Sequence, residues 1–451
     1  MVSTATALPS GVKGDVVTPG HPDYGKSLHR WARNAERNAA VVIFVKDEAD
    51  VSTVILFAKE NRLPIAIRGG GHSPIGASSV EGGVVIDLSR HLNSVRVDPA
   101  KRLAYVGGGA LWEQVDKTTI EHGLGTVGGS VNHTGVGGLI LGGGFGWLSG
   151  EHGLTIDNLV QVTVVSADGT IRKANETENP DLFFGVRGGG CNFGVVTEFV
   201  LALHPQRKTV FSGTVIFHGS QLESIVDFAQ EWYPNVNQKE GMILVITCDP
   251  DGVPIILCQL FFNGSEEDGR AKFKKLYDIG TSTNQYVRPG NGVYWKGVAH
   301  NGPDLQSMVK AQKKATEIAK AGTFSVQIVY EWIPLQKINS VPASKTAYRR
   351  IPTPNCLVGW PGDTHSGEKV DEARPVAHQI AGCVAGGESK LKDVESQGYA
   401  NYDPEGILGD KEEVKDKAQI AFGENYPSLQ KIKKKYDPEN IFNRWFAITP
   451  A

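Results

Sequence analysis

The stretch AIRGGGHSPIGASS, Ala66 to Ser79, follows an apolar run and sets three glycines in front of a single imidazole, His72. With no side chains at Gly69, Gly70 and Gly71, backbone N–H groups can come close to an anion and φ can turn positive. Two readings fit that much: a ligand cradle, or a tight turn that a histidine follows. The flanks say what fold carries it. AVVIFV from Ala40 is β-branched and extended, EADVSTVILFAKENR has apolar residues at helical spacing, and LPIAIR is extended again. The chain therefore reads strand, helix, strand, and runs straight into the glycines. GVVIDLS, SVRVD and LAYVGG continue as short strands, LWEQVDKTTIEHG as a helix closed by Gly123, and LVQVTVVSADGTIRKA as a hairpin turning at Asp168-Gly169. Up to about Pro205 this is the pattern of an α+β domain.

Near Arg207 the character changes. TVFSGTVIFHG, MILVITCD, PIILCQLFFNG and FSVQIVYEWIP alternate as antiparallel strands do, with the helical stretches QLESIVDFAQEWY and EEDGRAKFKKLYDIG among them. A second domain is predicted, whose sheet can wall a pocket. QGYANYDPEG then precedes two helices, KEEVKDKAQIAFG and NYPSLQKIKKKYD, the latter stopped by Pro438. Lys431 to Lys435 reads as a solvated helix face whose positive charge suits a helix C-terminus.

Bulk composition narrows the function. A chain of 451 residues allows two or three domains, at roughly 100–200 residues each. A formal charge of -3 gives no basic field for nucleic acid or a membrane surface and suits small, roughly neutral ligands. The cysteines, Cys191, Cys248, Cys258, Cys356 and Cys383, are odd in number and widely spaced, which argues against a disulfide framework and against a metal site. No basic stretch followed by an apolar one opens the chain, and no run reaches the ~18 apolar residues of a membrane span, so a cytoplasmic protein is expected. Sequons at Asn132, Asn175 and Asn263 are short enough to arise by chance. The glycines cluster before residue 195 with well-formed apolar strands between them, which is not the pattern of a disordered tract. One cluster, GLGTVG at Gly123 to Gly128, matches G-x-G-x-x-G. A dinucleotide fingerprint must follow a strand and open a helix, whereas this one follows a helix and opens a polar loop. No nucleophile elbow with a Ser-His-Asp set is present.

RGGGHS, GGSVNHTGVGGLILGGGFGWLSGEHGLTIDNL and VRGGGCNFGVVTEF, followed by YANYDPEG and YPSLQKIKKKYDPENIF, together resemble the berberine-bridge-enzyme-like flavoprotein oxidases of the vanillyl-alcohol oxidase / p-cresol methylhydroxylase (PCMH) superfamily. The likeness runs from about Ala39 to Pro205 and resumes at YANYDPEG; the middle matches in general layout. It implies an α+β, two-domain PCMH-type FAD-binding fold. Residues 1–207, completed by residues 395–451, would hold the flavin, and residues 208–394 would form a substrate domain of antiparallel sheet backed by helices, with the flavin at the interface.

The resemblance also assigns roles. His72 would be tethered to the 8α methyl of FAD, a neutral imidazole being a competent nucleophile near pH 7. Gly69, Gly70 and Gly71, with Arg68 and Ser73 beside them, would meet the pyrophosphate. Gly129, Ser130, Thr134, Gly135, Gly138 and Gly144 would contact the phosphates and isoalloxazine, and Gly194 and Val196 the adenosine half. Many relatives add a link from a cysteine in a G-x-C-P-x-V-G loop to flavin C6; Val131 stands at that position here, so a single covalent bond is expected. Cys191, where a glycine is usual, reads as packing. Thr134 falls near the position that governs oxygen access and leaves oxygen reactivity open. From the Y-x-N-(Y/F) segment, Tyr399 inherits the role of base toward the substrate hydroxyl, Asn401 an orienting role, and Tyr402 stands as the alternative base. With a free pKa near ~10, such a tyrosine needs a cation or hydrogen bond to act at neutral pH. His133 and His152 lie in the flavin loops, His122 closes a helix, and Tyr294, Trp295 and Lys296 either line the pocket or pack.

The expected activity is hydride transfer from an alcohol or amine carbon of a small organic substrate to FAD, with molecular oxygen reduced to hydrogen peroxide. Alternatives are a dehydrogenase or oxidative cyclase with another acceptor, and a flavin-binding protein without redox turnover. Substrate choice resides in residues 208–394, where the likeness is thinnest.

Overall fold

The computed structural model describes residues 8–280, 293–322, 324–350, 352–361, 367–386, 398–402 and 413–451. Strands Asp15–Val17, Val41–Phe44, Val84–Asp87 and Ile65–Arg68 lie side by side in that order, parallel except for the first pair. Parallel pairing requires a crossover, which the helix Glu48–Glu60 supplies. Its start is set locally: the Asp47 carboxylate accepts the Asp50 N–H at 2.9 Å, and Glu48 and Asp50 stand in the first turn. Val51, Val54, Ile55 and Ala58 form its buried face against Ile43, Ile65 and Val84. Ile65–Arg68 is an edge strand, and it delivers the chain to Gly69 and His72.

A second, antiparallel sheet runs in the order Val95–Asp98, Leu103–Gly107, Val195–Ala202, Leu159–Val165, Ile171–Asn175. The expected hairpin closes with Val165 opposite Ile171 and Gly169 at φ +77. In GLGTVG, Leu124–Gly125 is a short strand paired with His204–Pro205, and the next helix begins only at Val136.

The third sheet is antiparallel and six-stranded, ordered Phe211–His218, Pro254–Phe262, Glu240–Cys248, Gln327–Trp332, Asn355–Pro361, Val293–Ala299. Helices Leu222–Trp232, Leu305–Lys320 and Gly367–Ala385 share a core with one of its faces. Alternation along Gln327–Trp332 sends Ile328, Tyr330 and Trp332 into that core, which leaves Val329 and Glu331 on the opposite face. Glu331 and Asn355 are cross-strand partners there.

After this sheet the chain returns to the first half. Ala418, Phe422, Leu429 and Ile432 of the helices Glu413–Phe422 and Tyr426–Tyr436 pack in one core with Phe183 and Phe199. Here the lysine run corrects its reading as a solvated face. Lys433 is fully buried, and its Nζ donates to the carbonyls of Asn192 at 2.7 Å and Phe442 at 2.6 Å and to the Asp437 carboxylate at 2.6 Å. A buried ammonium is tolerable because three acceptors replace its water. Lys431, Lys434 and Lys435 remain on the surface.

Candidate active site

Three glycine stretches meet where the edge strand ends. A Cβ on Gly70 would stand 2.5 Å from the Gly135 Cα, one on Gly69 2.7 Å from the Gly108 carbonyl oxygen, and one on Gly108 2.3 Å from the Val196 carbonyl oxygen. These approaches are backbone against backbone, so no rotamer change relieves them. They form the floor of a groove, and a Cβ on Gly138 would meet nothing within 4 Å.

Most of the residues singled out by sequence line this groove together. Gly69, Gly70, Gly71, His72 and Ser73 form one wall, and Gly129, Ser130, Thr134, Gly135 and Gly138 another. Gly194 and Val196 lie on it too, as do Tyr399, Asn401 and Tyr402. Two expected residues do not. The Arg68 guanidinium turns away to the fully buried carboxylate of Asp87, at 2.8 Å. Gly144 acts indirectly, its N–H donating to the Tyr399 hydroxyl oxygen at 3.0 Å. Among the described residues the groove wall carries no Asp, Glu, Lys or Arg.

His72 lies among aromatic rings. The Trp31 ring stacks on it at 4.1 Å between centroids and 11° between planes, and His133 faces it at 5.1 Å. Its Nε2 is buried with no hydrogen-bond partner. Burial first, and the neighbouring His133 second, push its pKa down to about 4. The imidazole is therefore neutral at pH 7, with one ring nitrogen unprotonated. The orphaned nitrogen and the glycine floor fit a flat, phosphate-bearing cofactor.

Across the groove, residues 399–402 form a turn fastened to both sides. Asn355 Oδ1 accepts the Tyr399 N–H at 3.0 Å, while the Tyr399 hydroxyl oxygen accepts from Gly144 and from Asn401 Nδ2, the latter at 2.7 Å. A Cβ on Gly142 would collide with the Asn401 amide at 2.1 Å, so that glycine lets the turn close. Burial holds the Tyr399 phenol above its ordinary pKa, with Tyr348 adding to the effect. The Tyr402 hydroxyl donates to Glu331 Oε1 at 3.0 Å, and Glu331 Oε2 is buried without a partner. Burial pushes the Glu331 carboxyl up to about 7, against the lowering by the Tyr402 hydrogen bond. Tyr402, also pushed up chiefly by burial, stays a neutral phenol. A carboxyl that titrates near neutrality, one hydroxyl removed from the groove, is equipped to take up a proton.

Sequence reasoning missed Glu331, Trp31 and Trp445. Glu331 had a faint signal as the lone acid in the strand QIVYEW. Trp295 lines the groove and meets the Tyr402 ring edge-on at 6.0 Å; the side chain of Tyr294 lies outside the described residues. Cys191 lines the groove as well, its thiol held protonated by burial. His152 stacks on His204 at 3.8 Å and takes no part in the groove wall.

Glycine floor, neutral imidazole and phenol–carboxyl pair, framed by three sheets, define an α+β flavoprotein. Comparison with known proteins agrees. Residues 39–175 match the FAD binding domain family, and residues 398–448 match the berberine and berberine-like family. The FAD-linked oxidoreductase pgmH of Aspergillus terreus is 31% identical over 98% of this chain and 95% of its own. 6-Hydroxy-D-nicotine oxidase from Arthrobacter nicotinovorans superposes with a TM-score of 0.85 at 22% identity, covering 99% of this chain and 100% of the other. Glucooligosaccharide oxidase from Acremonium strictum, described with a 6-S-cysteinyl, 8α-N1-histidyl FAD, superposes at 0.81 and 20% identity, covering 97% of each chain. The chain belongs to the berberine-bridge-enzyme-like FAD-linked oxidoreductases, enzymes of the PCMH-type fold with FAD as cofactor. No helix among the described residues is long and apolar enough to cross a membrane.

Proposed function

We propose that this enzyme oxidises an alcohol or amine carbon of a small, uncharged organic substrate, with FAD bound covalently through His72 alone. Residues 1–207 and 395–451 would carry the flavin and residues 208–394 the substrate. The observation that carries the reading is the Tyr402–Glu331 pair at the groove. FAD held along the walls of His72, Gly69, Gly70, Gly71, Gly129 and Gly135 would supply a two-electron hydride acceptor, with dioxygen as the onward oxidant and hydrogen peroxide the product. The chain's own part is proton handling. Tyr402 takes the proton leaving the substrate hydroxyl or amine as its own proton moves to the Glu331 carboxylate, so no charge is stranded on the phenol. Tyr399 already accepts two N–H bonds, which leaves its single proton free to donate; its task is orientation, with Asn401 fixing it. This gives the base role to the second tyrosine of YANY. An uncharged substrate is supported by the absence of ionic side chains along the described wall. Single attachment is supported by Val131 at the position expected for a second link, and by Cys191, the one cysteine on the wall among the described residues, being a protonated thiol.

A screen of the yellow protein against sugars, benzylic alcohols and cyclic amines tests the proposal. At least one class should bleach the flavin without oxygen and release peroxide with it. Bleaching without oxygen uptake would replace the oxidase reading by a dehydrogenase or cyclase; no bleaching by any class would sink it.

A further inference from the structure

We propose that Trp31 is a positioning residue for attachment of the flavin to His72, an inference that rests on the covalent reading above. An imidazole is usually aimed by a hydrogen bond at one ring nitrogen. Nothing holds His72 at Nε2, and the backbone hydrogen bond that reaches the ring comes from His72 itself, so the rings packed against it share in setting its plane. The nearer and flatter of those faces is Trp31, at 4.1 Å and 11°, against 5.1 Å and 33° for His133.

Trp31 is itself held rigidly. Its backbone N–H donates to the Gly71 carbonyl at 3.1 Å. Next to it, the buried Arg30 guanidinium donates to the Ser78 carbonyl at 2.6 Å and to the carbonyls of Ser27 and His29 at 3.1 and 2.9 Å. One arginine thus pins residues 27–31 to the loop that follows His72. Trp31 also meets Trp295 edge-on at 4.8 Å, which ties it to the last-ordered strand of the six-stranded sheet. Trp31 lies upstream of both family-matched segments, 39–175 and 398–448.

The bond joins an imidazole nitrogen to the flavin methyl carbon with loss of two protons and two electrons, and dioxygen takes these up as hydrogen peroxide. Trp31 supplies no proton or electron to it. Its contribution is to keep the nitrogen aimed, and an aromatic face contact of this kind is worth about threefold to tenfold in rate.

Protein purified from riboflavin-limited cells is mixed with FAD in air and quenched in acid at intervals, and the flavin in the washed pellet is counted. Noncovalent FAD affinity is read by fluorescence quenching in a His72→Ala background. Trp31→Phe keeps a ring face and should tether within about twofold of wild type; Trp31→Leu keeps apolar bulk without a plane and should tether about threefold to tenfold more slowly, at unchanged affinity. Trp31→Leu tethering at the wild-type rate overturns the proposal. So does a slower rate matched by an equal loss of affinity, which is the mark of a merely structural role. A wild-type pellet without colour removes the covalent reading and this inference with it, whereas a coloured wild-type pellet separates the two.

Discussion

Glu331→Gln removes the only charge that the proposed proton path can use while keeping the shape of the side chain. The carboxyl sits at about 7 in the folded protein against an ordinary 4.5, a difference worth about 3 kcal/mol. The folded state holds this proton more tightly than the unfolded chain does. Wild-type stability should therefore be fully present below pH 4.5, decline as pH rises through 7, and stay lower by that amount above. The glutamine variant has no charge to bury and should gain on wild type toward pH 9, with no gain at pH 4. Catalysis runs the opposite way, because only ionised Glu331 can receive the Tyr402 proton. Anaerobic stopped-flow bleaching with a saturating substrate should show the wild-type rate climbing about tenfold per pH unit to a plateau near pH 7, whereas Glu331→Gln should be flat and slower at pH 8 by about 10²- to 10⁴-fold. A glutamine variant that keeps the acid limb, or bleaches within threefold of wild type at pH 8, would refute the assignment.

Tyr402→Phe should slow bleaching as much as Glu331→Gln, and the double variant should lose nothing further, since the two act as one unit. Tyr399→Phe strands the buried Gly144 N–H and should cost about 1–3 kcal/mol in denaturant unfolding while slowing bleaching only about tenfold. His72→Ala should leave a colourless pellet under a yellow supernatant after acid precipitation; a yellow pellet would place the tether elsewhere. Gly70→Ala drives a methyl into the Gly135 backbone, and the purified protein should lack flavin and be destabilised by about 3 kcal/mol. Lys433→Met leaves Asp437 charged and buried, with the N–H groups of Ile441 and Phe442 as its remaining donors among the described residues, and should lower stability by about 3–5 kcal/mol in the same unfolding assay.

What the sequence made legible was whatever depends on backbone: the glycine turns, the strand that feeds them, the Asp168-Gly169 hairpin and the antiparallel character of the third sheet. Those features follow from residue type and spacing over a few positions. Side-chain partnerships between distant segments did not show. Glu331 and Tyr402 are 71 positions apart and meet only because cross-strand register puts Glu331 beside Asn355, which grips the same turn. Trp31 and His72 belong to separate loops joined by an arginine whose acceptors are nearly all backbone carbonyls, which no residue pattern announces. Lys433 illustrates the reverse error. Local charge marked it as surface, and three acceptors from elsewhere in the tail and from residue 192 brought it inside.

The turn that bears Tyr399 and Tyr402 is gripped by Gly144 from one sheet system and by Asn355 and Glu331 from the other. During synthesis this piece leaves the ribosome after nearly all of both partners. Until it emerges, the groove lacks the wall that Tyr399, Asn401 and Tyr402 supply. The two tyrosines thus reach their places only once both sheet systems are folded, which couples formation of the proposed proton relay to the docking of one system on the other.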